Sequence, residues 1–525
     1  MCGFTRNRVT VNSNNNMNPE KFVTANNLRK VAIVGGGTAG WITAAALAKT
    51  LENRGIEIVL VESADIGIIG VGEATIPPLM GFLRYLGIDE REFMAATQAS
   101  YKLGIKFTDW HSPGTSYWHP FGSIGVNIDG QEFFPHWHKA RASGENSMLW
   151  QYSPSAVMGE SGRFYHPSAA DKQSFLAGAD YALHFDATLV AGYLRDYCLK
   201  RGVVRIEDTV ETATLTSTGF IDELVLKNHP DLQADFFFDC SGMKGILIGE
   251  QLKVPYLDWS NYLLCNRAVA LQTENYGNVP PFTHSVARDS GWTWHIPLQH
   301  RNGNGYVYSS AFCEPEEAER CLRESVEGKP LTDARHFSFT PGRREQLWYK
   351  NCLSLGFASG FLEPLESTAI HLTTKGVETF LSLLPNRDCH PALAQEFNRR
   401  FAMEYDSIRD FIVLHYCVTE REDTPFWRKC RELPLPPSLE EKIALYRAQG
   451  RIYRNTDDLF KPHSWHSVFD GMNVIPDQHN PMVDRTNAHE VQGIFTQVRE
   501  LMQKMASGLP THREFLERHC AAPKV

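Results

Sequence analysis

Apolar and polar positions change period along this chain, and the changes mark its elements. Lys30-Val31-Ala32-Ile33-Val34 is a short apolar run, the pattern of a strand buried on both faces of a parallel sheet. A glycine cluster follows, and then small and apolar residues from Trp41 to Ala48 read as a helix. Ile56 to Glu62 is a second apolar run that ends in an acid, which completes a strand–helix–strand unit. Ala234 to Gly242 and Leu353 to Gly360 are later runs of the same kind, each closing in a turn. Strands that return late, with long insertions between them, predict an α/β fold with a doubly wound sheet rather than a string of modules. After about residue 386 the period becomes helical, most clearly from Ala392 to Leu414, and Pro434-Leu435-Pro436-Pro437 breaks one helix from the next. The expected division is a disordered tail over 1–28, a sheet-based unit over 29–385 and a mostly helical region over 386–525.

The glycine cluster carries chemistry. Gly35, Gly37 and Gly40 form G-x-G-x-x-G between the first strand and the helix, with Thr38 and Ala39 inside it, and Glu62 follows 22 residues after Gly40. Glycines there let the backbone approach a pyrophosphate at the helix N-terminus, and the acid can accept from a ribose hydroxyl. Strand, helix and acid together point to a Rossmann-like dinucleotide site. No second glycine-rich unit is present for a nicotinamide cofactor. One site suits a bound flavin dinucleotide, FAD, whose reducing power arrives from outside.

Three further stretches stand out, each with a plainer alternative. In Gly291-Trp292-Thr293-Trp294-His295-Ile296-Pro297 strand alternation puts Trp292 and Trp294 on one face, either an aromatic core ladder or the wall of a ring-binding site. Ser100 to Phe107, read as one strand, puts Lys102 and Lys106 on a common face; they are either exposed lysines with snorkelling stems or a buried amine with a task. Phe361 to His371 leads into a helical run from Ile370 to Leu384, so that Ser367 or Thr368 caps that helix, with or without an anion at its free amides. Gly70 to Pro77 reads as a glycine-punctuated loop, a turn or a strap over the cofactor.

Composition narrows the function classes. A net charge of -9 gives no electrostatic reason to bind nucleic acid. No run of about 18 apolar residues marks a membrane span. The Asn-rich tail lacks the apolar segment of a secretory signal, and Met17 is a second candidate start. Eleven cysteines without paired spacing point to reduced thiols and a cytoplasmic protein. No Cys/His cluster has zinc spacing, so no metal is expected; His136, His138, His295 and His300 read as surface or pocket histidines. The 11 Trp, 18 Tyr and 30 Phe suit a site that stacks flat rings.

Together these residues resemble the flavin-dependent tryptophan halogenases. The shared elements are GGGTAGW at 35–41, GVGEATIP at 70–77, YKLGIKF, WHPFG at 118–122, HFDA at 184–187, DCSGM at 239–243, GWTWHIP at 291–297, FLEPLEST at 361–368 and DTPFW at 423–427. The resemblance implies a monooxygenase-like FAD domain followed by a helical substrate module. It implies that Gly35, Gly37, Thr38, Ala39, Gly40, Glu62, Gly72, Glu73, Ala74, Gly356 and Leu365 hold FAD, received as FADH2 from a separate NAD(P)H-dependent flavin reductase. Chloride or bromide would bind at Ser367, Thr368 and Ala369 and, with O2, give hypohalous acid. That acid would pass through the protein to Lys102, with Glu366 beside the substrate ring and His119, Phe121, Trp292 and Trp294 lining the indole side. An ammonium can hydrogen-bond the hypohalous oxygen, or a neutral amine can take the halogen. A carboxylate stabilises the cationic ring and accepts its proton.

Two departures from the family pattern bear on the substrate. Ala369 stands where free-tryptophan enzymes carry a glycine, which bears on chloride against bromide. The segment from Arg451 to Pro476 is short, with Phe460 and Pro462 at the positions of a Trp and an Asn that help grip the amino acid. The expected substrate is therefore a free indole or a larger indole-bearing molecule, such as a peptide or alkaloid, rather than tryptophan. The rival readings are a single-component flavin aromatic hydroxylase, which would oxidise NADPH without a reductase, and a non-catalytic flavin-binding protein. A homodimer is expected from analogy alone.

Overall fold

The computed structural model describes residues 26–64, 72–169, 172, 174–453 and 458–524. The expectations for the tail, for Met17 and for Gly70 and Val71 lie outside these residues. The strand Lys30–Val34 sits inside a six-stranded sheet ordered Trp348–Tyr349, Cys352–Ser354, Phe236–Asp239, Lys30–Val34, Glu57–Glu62, Val204–Glu207. Its strands are parallel except for the Trp348–Tyr349 edge. The two late apolar runs thus do return to the first sheet, next to one another. Between Lys30–Val34 and Glu57–Glu62 lies the helix Thr38–Thr50, buried from Gly40 to Ala48 because it is covered on nearly every side.

A seven-stranded sheet is ordered Arg335–Ser338, Arg267–Glu274, Arg301–Tyr308, Gly291–Pro297, Thr283–Arg288, Gly104–Thr108, Ser116–Pro120. A smaller antiparallel sheet joins Gly72–Ala74, Ala182–Asp186 and Ser100–Lys102. The stretch read as one strand from Ser100 to Phe107 is therefore two, in different sheets. The chain changes sheet at Leu103-Gly104, where a Cβ on Gly104 would lie 2.5 Å from the His119 carbonyl oxygen. Lys102 and Lys106 consequently do not share a face. Lys102 is fully buried, whereas Lys106 pairs with Glu160 at 2.8 Å near the surface. Gly72–Ala74 is likewise a strand and not a loop.

The helical region contains Pro391–Cys417, Pro425–Glu432, Pro437–Gln449, Pro462–Gly471, Ala488–Ser507 and His512–His519. Its first helix joins the main core: Phe397 packs edge-on against Trp348 with centroids 5.8 Å apart. His136 and His138 are not surface residues. They are buried on the helix Phe133–Ala142, among the aromatic rings that join it to the Pro437–Gln449 and Pro462–Gly471 helices.

The last helix braces the strand that carries Lys102. His512 Nδ1 donates to the Val279 carbonyl at 2.7 Å, and its Nε2 accepts from the Tyr101 N–H at 3.1 Å. Burial pushes this imidazole down to about 4, so it is neutral and able to accept. His512→Leu orphans one buried donor and one buried acceptor, an expected cost of about 2–6 kcal/mol at about 1–3 each. Urea unfolding at pH 8, where the ring is neutral folded or unfolded, measures it.

Candidate functional site

The glycine-rich turn has the shape its sequence requires. Gly35 takes φ +114, and a Cβ there would lie 2.3 Å from the Cys240 carbonyl oxygen; one on Gly40 would lie 1.9 Å from the Gly35 oxygen. Both glycines are needed for backbone to pass backbone. Gly37 differs: a Cβ there meets nothing within 4 Å, and no side chain caps the helix it begins. An open cradle of amides, with an acid on the next strand, fits a dinucleotide pyrophosphate and ribose. Glu62 is engaged by Arg205 and by Trp41 Nε1 at 3.3 Å; its remaining lone pairs can still accept from a hydroxyl. Gly356, at φ +63, closes on Ala39 from the other side.

Beyond this turn lies a cavity of about 500 Å³ whose walls include Gly72, Glu73, Ala74, Gly356 and Leu365. Burial pushes the Glu73 carboxyl up to about 7. Trp292 and Trp294 line the same cavity, as do Ser367, Thr368 and Ala369. The two indoles are tilted at 55° with centroids 6.1 Å apart. Trp294 lies over its cross-strand partner Gly305, where any Cβ would enter the indole. Trp292 is held from behind, its Nε1 donating to Glu363 Oε2 at 3.0 Å; Tyr416 Oη donates to the same oxygen at 2.6 Å. Burial pushes Glu363 up to about 7 against these donors.

Lys102, Glu366, His119 and Phe121 stand apart from this cavity. They come together from the small sheet, the edge strand Ser116–Pro120 and the turn Pro364–Glu366. Trp292 and Trp294, expected to line the indole side with His119 and Phe121, line the 500 Å³ cavity. Lys102 Nζ donates to the Thr75 carbonyl and to Ser367 Oγ, both at 2.9 Å, and lies 5.3 Å from the Phe121 ring centroid. An ammonium has three N–H bonds, so one remains for a ligand. Burial pushes the Lys102 amine down to about 7, while the charge of Glu366 pulls it back up. Both protonation states are therefore accessible near neutral pH.

Ser367 is the link between the two regions, lining the cavity and touching Lys102. Its backbone is left-handed, φ 59 and ψ 38, a conformation that costs a serine about 1 kcal/mol or more. That twist turns Oγ to Lys102, so Ser367 does not cap the following helix, Ala369–Ser382. Thr368 holds the cap position without a side-chain bond. The Ser367 N–H is donated to the Pro364 carbonyl at 3.0 Å, which leaves Thr368 and Ala369 as the amides that begin the free helix end.

Glu366 is buried between two imidazoles. Oε2 lies 2.8 Å from His119 Nδ1 and Oε1 lies 3.1 Å from His415 Nε2. Burial raises a carboxyl, but the two rings outweigh it and hold Glu366 down to about 2. Phe460 completes the aromatic surroundings, stacked on Phe411 at 3.9 Å and tilted over His119 at 6.0 Å. The sequence did not single out Thr75, Glu363, His415 or Tyr416. Glu363 lay in plain view inside FLEPLEST, but a lone histidine on a long helix carries no signal of its partner.

A buried amine and a carboxylate held ionised thus stand next to a dinucleotide-type cavity, joined to it through Ser367. The sequence profile of the tryptophan halogenases matches residues 30–488. The chain belongs to the tryptophan halogenase family. Tryptophan 6-halogenase SttH of Streptomyces toxytricini is 35% identical over 511 residues, 93% of this chain and 97% of that protein. Tryptophan 7-halogenase RebH of Lentzea aerocolonigenes is 35% identical, over 93% of this chain and 98% of its own. The solved structure of BrvH, a flavin-dependent halogenase from Brevundimonas sp. BAL3, superposes with a TM-score of 0.90 at 42% identity, covering 94% of this chain and 99% of that one. Family membership makes the protein a flavin-dependent halogenase and disfavours the hydroxylase reading.

Proposed function

We propose that this protein is an FADH2-dependent halogenase that places chloride or bromide on an indole-type ring, fed with reduced flavin by a separate NAD(P)H-dependent reductase. The observation that carries the reading is Lys102: a fully buried amine that donates to Ser367, a residue of the cavity wall, and to the Thr75 carbonyl. Gly35, Gly37, Thr38, Ala39, Gly40 and Glu62 hold the nucleotide part of FAD, and Gly72, Glu73, Ala74, Gly356 and Leu365 the rest. Reduced flavin, when bound, would supply two electrons to O2 while halide gives up the other two, so that halide is oxidised to hypohalous acid and the second oxygen leaves as water. Halide sits at the amides of Thr368 and Ala369, beside Ser367. Trp292 and Trp294 act as the partition, keeping the ring away from flavin-derived oxygen.

On the substrate side the Lys102 N–H bonds the hypohalous oxygen. The O–halogen bond breaks as the ring carbon takes the halogen, and Lys102 gives its proton to the leaving hydroxide. Glu366 stabilises the cationic ring and receives the proton of the ring C–H bond as aromaticity returns. His119 and Phe121 hold the ring by its faces. Phe460 offers a further ring surface where a grip on an amino-acid headgroup would need polar groups, which supports an indole without a zwitterion.

The test is mass spectrometry of indole incubated with the protein, FAD, NADH, a flavin reductase and chloride or bromide. A halogen isotope pattern that disappears without the reductase is the expected result. Oxygen adducts, with NADPH consumed in the absence of reductase, would restore the hydroxylase. Saturation by free tryptophan at low micromolar concentration would overturn the substrate assignment.

A further inference from the structure

His415 is fully buried on the helix Pro391–Cys417, with an oxygen close to each ring nitrogen. Nδ1 lies 2.8 Å from the Phe411 carbonyl oxygen. A carbonyl oxygen only accepts, so Nδ1 bears a proton. In a neutral ring Nε2 would then be bare, and Nε2 lies 3.1 Å from Glu366 Oε1. The pair is too bent for a hydrogen bond, so Nε2 and Oε1 are both left without one. A neutral ring would set an unprotonated nitrogen against a carboxylate oxygen, with nothing to hold the two at that distance. Either Glu366 is a neutral acid or His415 carries a second proton.

Intrinsic basicity separates these cases. Imidazole outranks a carboxylate by about two pKa units, roughly a hundredfold preference for the proton. His119 adds to it, because a donor on Oε2 favours the ionised carboxylate. The other groups facing the pair are Lys102 on its strand, the Tyr117 hydroxyl beside His119, and Glu363 on the preceding turn. The charge of Lys102 also favours an ionised Glu366, the charge of Glu366 acts on Tyr117, and that of His415 on Glu363. Tyr117 Oη is itself buried without a partner. Burial would penalise an isolated imidazolium, but beside a carboxylate it forms a neutral pair.

We infer that His415 is a positioning residue that carries both ring protons in the resting protein, keeps Glu366 ionised, and so sets the pH range in which Glu366 can receive the ring proton. This rests on the reading of Glu366 as the ring-facing base. It also accounts for the reset. A carboxylic acid beside an imidazolium is a strong acid, so Glu366 gives up the proton taken from the ring carbon. The Oε–H bond breaks, and an N–H bond forms on the Lys102 amine that lost its proton to hydroxide. His415 keeps both of its protons throughout.

Two measurements test this. Infrared difference spectra of wild type against Glu366→Gln at pH 7 report whether Glu366 is protonated, independently of any halogenation. A carboxylate signature with no carboxylic C=O stretch is expected. A carboxylic stretch that disappears in Glu366→Gln would place the proton on Glu366 and overturn the inference, even if halogenation proceeds. The pH profile of His415→Gln gives the second readout. The acid limb of kcat should move up by about one pH unit, with KM for indole within about twofold of wild type. An unmoved limb, with kcat lowered equally at every pH, would reduce His415 to packing. If the variant does not fold, the infrared result on the wild-type protein decides alone.

Discussion

Lys102→Met should abolish halogenation while making the protein more stable. The loss of rate is expected to be on the order of 10³-fold, the range for removing a positioned proton donor. Flavin binding should be unchanged, because Lys102 is not among the walls of the 500 Å³ cavity. The stability change follows from linkage. The amine is lowered from 10.5 to about 7, chiefly by burial, so folding disfavours its charged form. The difference corresponds to a cost of about 5 kcal/mol. That cost is fully present below pH 7 and fades as pH rises to 10.5, where the lysine is neutral folded or unfolded. Methionine removes it and loses hydrogen bonds to Thr75 and Ser367 that are worth about 1 kcal/mol each, with the Thr75 carbonyl left unpaired. The net expectation is a gain of about 1–3 kcal/mol at pH 7 that shrinks above pH 9, measured by urea unfolding at both values. Normal product from the variant would remove Lys102 from the chemistry. A loss of stability at pH 7 would mean that its two bonds outweigh its burial.

What the sequence could reveal about this site depended on whether the signal was local. The nucleotide turn was legible because every requirement sits within 35 residues: a buried strand, three glycines, a helix and an acid on the adjacent strand. The WxWxIP strand was legible for the same reason, but not its orientation, which is set by Gly305 across the sheet and by Glu363 from a distant turn. Lys102 shows the limit most clearly. Its spacing from Lys106 placed both on one face, as one strand would. The burial that makes it reactive comes from the chain leaving one sheet for another at Gly104, a tertiary choice with no local pattern. Either Ser367 or Thr368 was expected to cap the following helix; Thr368 holds that position and Ser367 does not. The left-handed backbone of Ser367 serves Lys102 instead, a bond between residues 265 positions apart. The partners of Glu366 lie on an edge strand and a long helix, and only packing brings them to its two oxygens.

Glu366→Gln is expected to fall to about 10⁻² to 10⁻³ of wild-type turnover, the scale for losing an electrostatic stabiliser of developing charge. Its stability should move opposite to that of Lys102→Met. The carboxyl is lowered from 4.5 to about 2 because His119 and His415 together outweigh its burial. Ionisation thus contributes about 3 kcal/mol to folding. This contribution is present above pH 4.5 and lost as pH falls toward 2. Glutamine keeps an oxygen for the His119 N–H but no charge, so the variant should be about 2–3 kcal/mol less stable than wild type at pH 7, with the gap closing below pH 4.5. Acid titration of the unfolding midpoint for both proteins checks this; a gap that persists at pH 3 would mean packing, not charge, is responsible. The two substitutions should also fail to add. The charge of Glu366 pulls Lys102 upward, so its removal leaves the Lys102 amine further below 7 and more often neutral. An amine in that state cannot supply the proton that departing hydroxide needs at pH 7. Part of the turnover lost in Glu366→Gln is therefore lost through Lys102, and this part should return as the pH of the assay is lowered.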